Sequence, residues 1–193
     1  MGPYGTALRS STIRSFADTV TTANAVSATP CACLSDRRTF IFSGTIAGME
    51  KTIQTLSELQ EEAVRLVSSL TRGDRATLIT LSGELGAGKT SFTKMIAKAL
   101  EVEETVTSPT FVLEKIYQLG SEASKFKRLI HIDAYRLEKG SDLAPLGFDE
   151  CMQDADNLIV LEWPEKVIDA LPVPTMRITL TVQEDDSRTI SYD

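Results

Sequence analysis

Histidine and tryptophan occur once each in this 193-residue chain, cysteine three times, and aromatic residues make up only 6% of it. Cys31, Cys33 and Cys151 are too few, and odd in number, for a disulfide framework; that usage suits a reducing compartment, and the cytoplasm is expected. Cys31-Ala32-Cys33 resembles half a metal site, but no matching Cys/His cluster follows it, which argues against one. No apolar run approaches the roughly 18 residues of a membrane span, so no membrane association is expected. Basic charge is also short: 20 Lys and Arg stand against 27 Asp and Glu, for a net charge of -7. Residues 1–48 hold Arg9, Arg14, Arg37 and Arg38 against Asp18 and Asp36, which is +2, so residues 49–193 carry the balance of -9. A body this acidic lacks the basic footprint that independent nucleic-acid binding requires.

What is present suits one globular domain with a real core: 42% apolar and 24% charged residues. Residues 1–48 have a different texture, rich in Ser, Thr and Ala, poor in acids, and without a sustained apolar period. Three readings stay open for them: an organelle transit peptide, a disordered tail, or a segment upstream of a true start at Met49. Weak helical amphipathicity favours the last two. The folded domain is expected at 49–193.

Within that domain "TLSELQEEAVRLVSSL" (55–70) sets Leu56, Leu59, Ala63, Leu66, Val67 and Leu70 on one helical face. Thr55 with Glu58, or Ser57 with Gln60, gives it a capping-box start. "ATLITLS" (76–82) predicts a strand, and "TSFTKMIAKAL" (90–100) a helix with Phe92, Ile96, Ala99 and Leu100 inward. Further strands are expected at 111–119, 127–133 and 157–163, with a loop and short helix across 138–156. "MRITLTV" (176–182) and "RTISY" (188–192) predict a hairpin about "QEDDS". Alternating helices and strands make this an α/β sheet with antiparallel additions at its C-terminal end.

Between the strand at 76–82 and the next helix lies "GELGAGKT", Gly83 to Thr90, which fits the phosphate-binding pattern G-x-x-x-x-G-K-[ST]. Glycines let the backbone turn its N–H groups around a phosphate, and the following helix adds the positive end of its dipole. Lys89 suits the β- and γ-phosphates and the Thr90 hydroxyl suits Mg²⁺. Such a loop needs a carboxylate on the metal side, usually at the end of a buried strand. Two strands end that way, in Glu162 and in Asp133.

With these residues assembled, the chain resembles the TsaE (YjeE) family, small bacterial P-loop ATPases needed for the threonylcarbamoyladenosine (t6A) modification of tRNA. The resemblance rests on "GELGAGKT" (83–90), "SPTF" (108–111), "HIDAYR" (131–136), "LGFDE" (146–150), "LEWPE" (161–165) and "DDSRTI" (185–190), in that order. It implies a P-loop NTPase-like three-layer sandwich and ATP with Mg²⁺ as cofactors. Gly83, Gly86, Ala87, Gly88, Lys89, Thr90, Ser91 and Ser108 would contact the nucleotide, and Thr90 and Glu162 would hold the metal. Asp133, Glu162, Lys89 and Thr110 would be catalytic, with Ser108-Pro109-Thr110 as a switch-like loop near the γ-phosphate. The Ser57-Glu58 segment would approach the base, and Arg188 and Trp163 would lie near the site. The implied function is slow Mg²⁺-dependent ATP hydrolysis in support of t6A modification, with TsaD and TsaB as partners and tRNA held by them.

Other readings attach to several of these residues. Phe111 and Trp163 also suit a core, His131 a structural role, and Tyr135 and Arg136 a brace for Asp133. The basic run Lys125-Phe126-Lys127-Arg128 suits a solvated loop, or contact with tRNA or an acidic partner. A small-molecule or nucleoside kinase is the alternative activity, but 138–156, where a lid would fall, contains no arginine. A nucleotide-dependent switch module is the other.

Overall fold

The computed structural model describes residues 48–109, 111–120 and 124–193. Apart from Gly48, the expected N-terminal extension with Cys31 and Cys33 lies outside the described residues, as does Thr110.

The chain enters through a strand that its sequence did not announce, β1 (Met49–Ile53), and continues into helix α1 (Leu56–Ser69). Thr55 caps that helix: its Oγ1 accepts the Glu58 N–H at 3.2 Å, while the Glu58 carboxylate accepts the Gln54 N–H at 2.8 Å. Then come β2 (Thr77–Ser82), α2 (Lys89–Ala99), β3 (Glu114–Gln118) and β4 (Arg128–Asp133). Two 3₁₀ turns, Ala134–Arg136 and Gly140–Leu146, lead into the short helix α3 (Phe148–Gln153). After it follow β5 (Asn157–Glu162), β6 (Met176–Val182) and β7 (Arg188–Tyr192).

All seven strands form one sheet in the order β1-β7-β6-β2-β5-β4-β3. Its middle, β6-β2-β5-β4, is parallel, and antiparallel strands flank it on both sides. Side chains alternate across a strand, and the core divides accordingly. Ile79, Leu81, Leu158, Val160 and Leu129 meet Leu66, Phe92 and Ile96 of the two long helices. Leu78, Ile130, Ile132, Ile159 and Leu161 meet Leu143 and Phe148 beneath the other face. The result is a three-layer α/β sandwich, and His131, Asp133 and Glu162 share the α2 side by parity.

Several local expectations are corrected. Leu56 is 68% exposed, and the fully buried Glu62 joins the inward face instead. Ala97 takes the core position expected of Ala99. The strand foreseen at 111–119 begins only at Glu114, since the Val112 and Leu113 N–H groups both bond to the Pro109 carbonyl in a turn. Phe111 is therefore 84% exposed and no core residue.

Candidate functional site

The glycine loop joins β2 to α2 above the parallel centre of the sheet. Gly83 holds φ +137°, and a Cβ there would stand 2.2 Å from the Leu180 carbonyl oxygen. The chain can leave β2 past β6 in this way only without a side chain. Gly88, at φ +105°, then caps the start of α2. Lys89, Thr90 and Ser91 form the first turn, so their N–H groups have no acceptor inside the helix and stand at the positive end of its dipole. Ala87 turns inward instead. Its methyl is buried in the core and its N–H bonds to the Glu84 carbonyl at 3.1 Å, while the residue still lines the cavity on the α1 side of the loop.

Lys89 crosses the loop, and its Nζ donates to the carbonyls of Gly83 at 2.7 Å and Glu84 at 2.9 Å. The same ammonium lies 3.6 Å from the centroid of the Trp163 ring. Burial pulls the Lys89 pKa down, against the opposing charges of Glu162, Glu165 and Asp133.

At the end of β5, Glu162 is almost wholly buried. Its Oε2 accepts the Thr90 hydroxyl at 3.0 Å. Its Oε1 accepts Thr93 at 3.3 Å and pairs with His131 Nε2 at 2.7 Å. The parallel register of β4 and β5 sets Asp133 directly beside Glu162. Asp133 in turn accepts the Ser108 hydroxyl at 3.5 Å and the Tyr135 N–H at 3.1 Å.

Two cavities meet at this loop. One, of about 280 Å³, is lined by Gly86, Lys89, Thr90, Asp133, Glu162 and Trp163 among others. The second, of about 250 Å³, shares Gly86, Gly88 and Ser91 with it and extends to Thr55, Leu56 and Arg188. Of the segment around Ser57-Glu58 expected on the base side, Gln54, Thr55, Leu56 and Leu59 line this second cavity. Of the sequence-predicted residues, the structure brings together Gly86, Gly88, Lys89, Thr90, Ser91, Asp133 and Glu162. Ser108 reaches the group through Asp133, Ala87 lines the second cavity, and Gly83 supports the loop from behind. Arg136 stacks over the exposed Phe111 ring at 4.4 Å.

The basic run at 125–128 makes internal pairings while the Lys127 side chain stays 75% exposed. Lys125 Nζ donates to the carbonyls of Ser68 and Leu70 at 3.0 and 2.7 Å, and Phe126 is buried. Lys127 pairs with Asp156 at 2.5 Å and Arg128 with Asp154. Sequence reasoning missed Thr93 as a second hydroxyl on Glu162, and missed that His131 touches that carboxylate. Alternation along β4 was the available signal, since Leu129, His131 and Asp133 point the same way.

The donor set has a definite chemical character. Thr90 Oγ1 and Glu162 Oε2 are hard oxygens facing a shared cavity beside open N–H groups, which fits Mg²⁺ held by few protein ligands plus phosphate oxygens. Among the described residues no cluster of three or more His, Cys, Asp or Glu offers an all-protein metal cage.

A family model described as "Threonylcarbamoyl adenosine biosynthesis protein TsaE" matches residues 51–190. The tRNA threonylcarbamoyladenosine biosynthesis protein TsaE of Treponema pallidum is 37% identical over 118 residues, 61% of this chain and 82% of that protein. Its namesake from Mycobacterium bovis is 32% identical over 163 residues, 81% of this chain and 93% of the relative. The crystal structure of Bacillus subtilis YdiB superposes with a TM-score of 0.59 at 25% identity, covering 78% of this chain and 87% of that one.

Proposed function

This chain belongs to the TsaE family of threonylcarbamoyl adenosine biosynthesis proteins, and on that premise we propose that it binds Mg²⁺·ATP and slowly hydrolyses it in support of tRNA t6A modification. One observation carries the reading: the Thr90 hydroxyl rests 3.0 Å from the Glu162 carboxylate, in the same cavity as Lys89. That is the juxtaposition a phosphate loop and its metal-side acid require.

Backbone N–H groups of Gly86 to Ser91 other than Ala87 surround the phosphates, and Lys89 offsets the charge of the terminal ones. Thr90 and Glu162 would hold Mg²⁺, which when bound polarises the phosphoryl oxygens and neutralises developing charge. Asp133, fixed by the Tyr135 N–H and by Ser108, orients the attacking water. Water is the proposed acceptor, and Leu143 and Phe148 anchor the 140–153 stretch in the core on the far face of the sheet from α2. That placement counts against a kinase lid. TsaD and TsaB are the proposed partners. They would supply the tRNA contact, since the only basic run among the described residues of the domain is engaged internally.

Phosphate release from Mg²⁺·ATP, measured alone and with a TsaD–TsaB pair, tests this. Slow release that rises with the pair is expected. Phosphate appearing only when a small-molecule acceptor is added would establish the kinase reading in its place.

A further inference from the structure

We propose that Trp163 is a positioning residue for Lys89, its ring face holding the ammonium at the loop mouth where the terminal phosphates of a nucleotide bind. The inference rests on the reading of the loop as a phosphate cradle and adds a residue that the loop pattern does not contain.

Three protein groups surround the Lys89 Nζ: the Gly83 carbonyl at 2.7 Å, the Glu84 carbonyl at 2.9 Å and the Trp163 ring at 3.6 Å. An ammonium has three N–H donors, and the carbonyls use two. The ring attracts the charge through its quadrupole rather than through a directed bond. The third N–H therefore stays able to turn to a phosphate oxygen while the ring keeps the Nζ in place. Lys89 is only 5% exposed, and among the described residues it makes no ion pair. A buried ammonium needs compensation: the two carbonyls supply part of it and the indole face adds to them. Tryptophan gives the strongest such contact of the aromatic residues.

The ring is itself held from two sides. Trp163 has left-handed backbone angles, φ 62° and ψ 51°, disfavoured for a bulky residue and typical of functional positions. Its N–H bonds to the Leu81 carbonyl at 3.1 Å, at the end of the strand from which the loop departs. The Tyr135 ring packs on it at 5.0 Å with a tilt of 51°, and the Tyr135 N–H is fixed by Asp133. Order thus passes from the Asp133 turn to Tyr135, to Trp163 and to the loop lysine. An aliphatic residue at 163 would leave the two loop carbonyls alone to hold the Lys89 ammonium.

Binding by wild type, Trp163→Leu and Trp163→Phe is measured by calorimetry for Mg²⁺·ATP and inorganic tripolyphosphate, and by NMR titration for AMP. Trp163→Leu is expected to weaken ATP and tripolyphosphate about tenfold, within the range of a desolvated cation–π contact. Trp163→Phe should stay within about threefold, and AMP, whose single phosphate lies beyond the reach of Lys89, should bind all three alike. Tripolyphosphate binding unchanged in Trp163→Leu, or an equal loss for AMP, overturns the proposal while leaving the phosphate cradle intact. A wild-type protein that binds neither ATP nor tripolyphosphate ends both. Trp163 is the only tryptophan of the chain, so its emission also tests the contact directly. Lys89→Met should shift the spectrum, and an identical spectrum overturns the proposal.

Discussion

Two glutamates a hundred positions apart are both shielded from water, and they differ in what compensates them. Glu62, on α1, receives the Tyr192 hydroxyl at 2.5 Å, Lys51 at 3.0 Å and a forked contact from Arg65. Two cations and a phenol saturate it. Its partners lie on β1, α1 and β7, so the cluster ties the antiparallel edge of the sheet to the helix above. Glu162 receives two hydroxyls and one histidine nitrogen, with no lysine or arginine at ion-pair distance among the described residues. The comparison separates architecture from chemistry. A buried carboxylate paired with lysine and arginine belongs to the fold, and one held by hydroxyls and an imidazole is, on the proposed function, directed at a cation from outside.

The sharpest way to break this contrast is to remove each carboxylate in turn. Glu62→Ala strands Arg65 and Lys51 over a buried site and should cost about 3 kcal/mol of stability, read by denaturant unfolding. ATP turnover per folded molecule should stay within about twofold. Glu162→Ala should do the reverse: turnover falls about 100-fold, the Mg²⁺ dependence of nucleotide binding flattens, and the unfolding midpoint moves less than in Glu62→Ala. If Glu162→Ala unfolds as readily as Glu62→Ala while keeping its turnover, the assignment of roles is reversed.

Acid distinguishes the two further. Burial raises the Glu62 pKa, but the hydrogen bonds from Arg65, Tyr192 and Lys51 together outweigh it and hold the carboxyl below its ordinary value of 4.5. Burial, and next the hydrogen bond to Glu62, push the Tyr192 phenol far upward, so it remains a donor throughout. A depressed carboxyl stabilises the fold fully above the ordinary value, and that contribution is lost as pH falls through the lowered one. Stability should therefore decline below about pH 4.5, and part of that decline should vanish in Glu62→Gln. An unchanged slope in the variant would mean that other carboxylates carry the acid response.

Much of this contrast was not legible in the sequence. The Gly83–Thr90 loop, its flanking strand and helix, and the acids closing β4 and β5 could be read because local composition determines them. Glycine spacing and β-branched runs are properties of neighbours in the chain. Glu62 was not legible, because its environment comes from Tyr192, 130 residues away, and from β1, whose "MEKTI" lacks an apolar run. A helical wheel turned Leu56 inward and left Glu62 outside. Periodicity reveals that a face exists, whereas what covers it depends on pairings that only the assembled sheet creates. His131 is intermediate: parity put it beside Asp133, but its contact with Glu162 needed the β4–β5 register.

Thr93 tests how finely Glu162 must be oriented, and it should give the smallest effect. Its hydroxyl has one proton and two acceptors, Glu162 Oε1 at 3.3 Å and the Lys89 carbonyl at 3.1 Å. A carbonyl oxygen accepts two hydrogen bonds, so the one hydroxyl proton is shared between that carbonyl and the carboxylate. Thr93→Val keeps the shape and deletes that donor, while His131 at 2.7 Å still holds the same oxygen. One lost hydrogen bond of about 1 kcal/mol should raise the Mg²⁺ concentration for half-maximal nucleotide binding about fivefold and leave stability nearly unchanged. A loss as deep as that of Glu162→Ala would mean that Thr93, rather than His131, sets the carboxylate's direction. No change at all would mean that the histidine alone suffices.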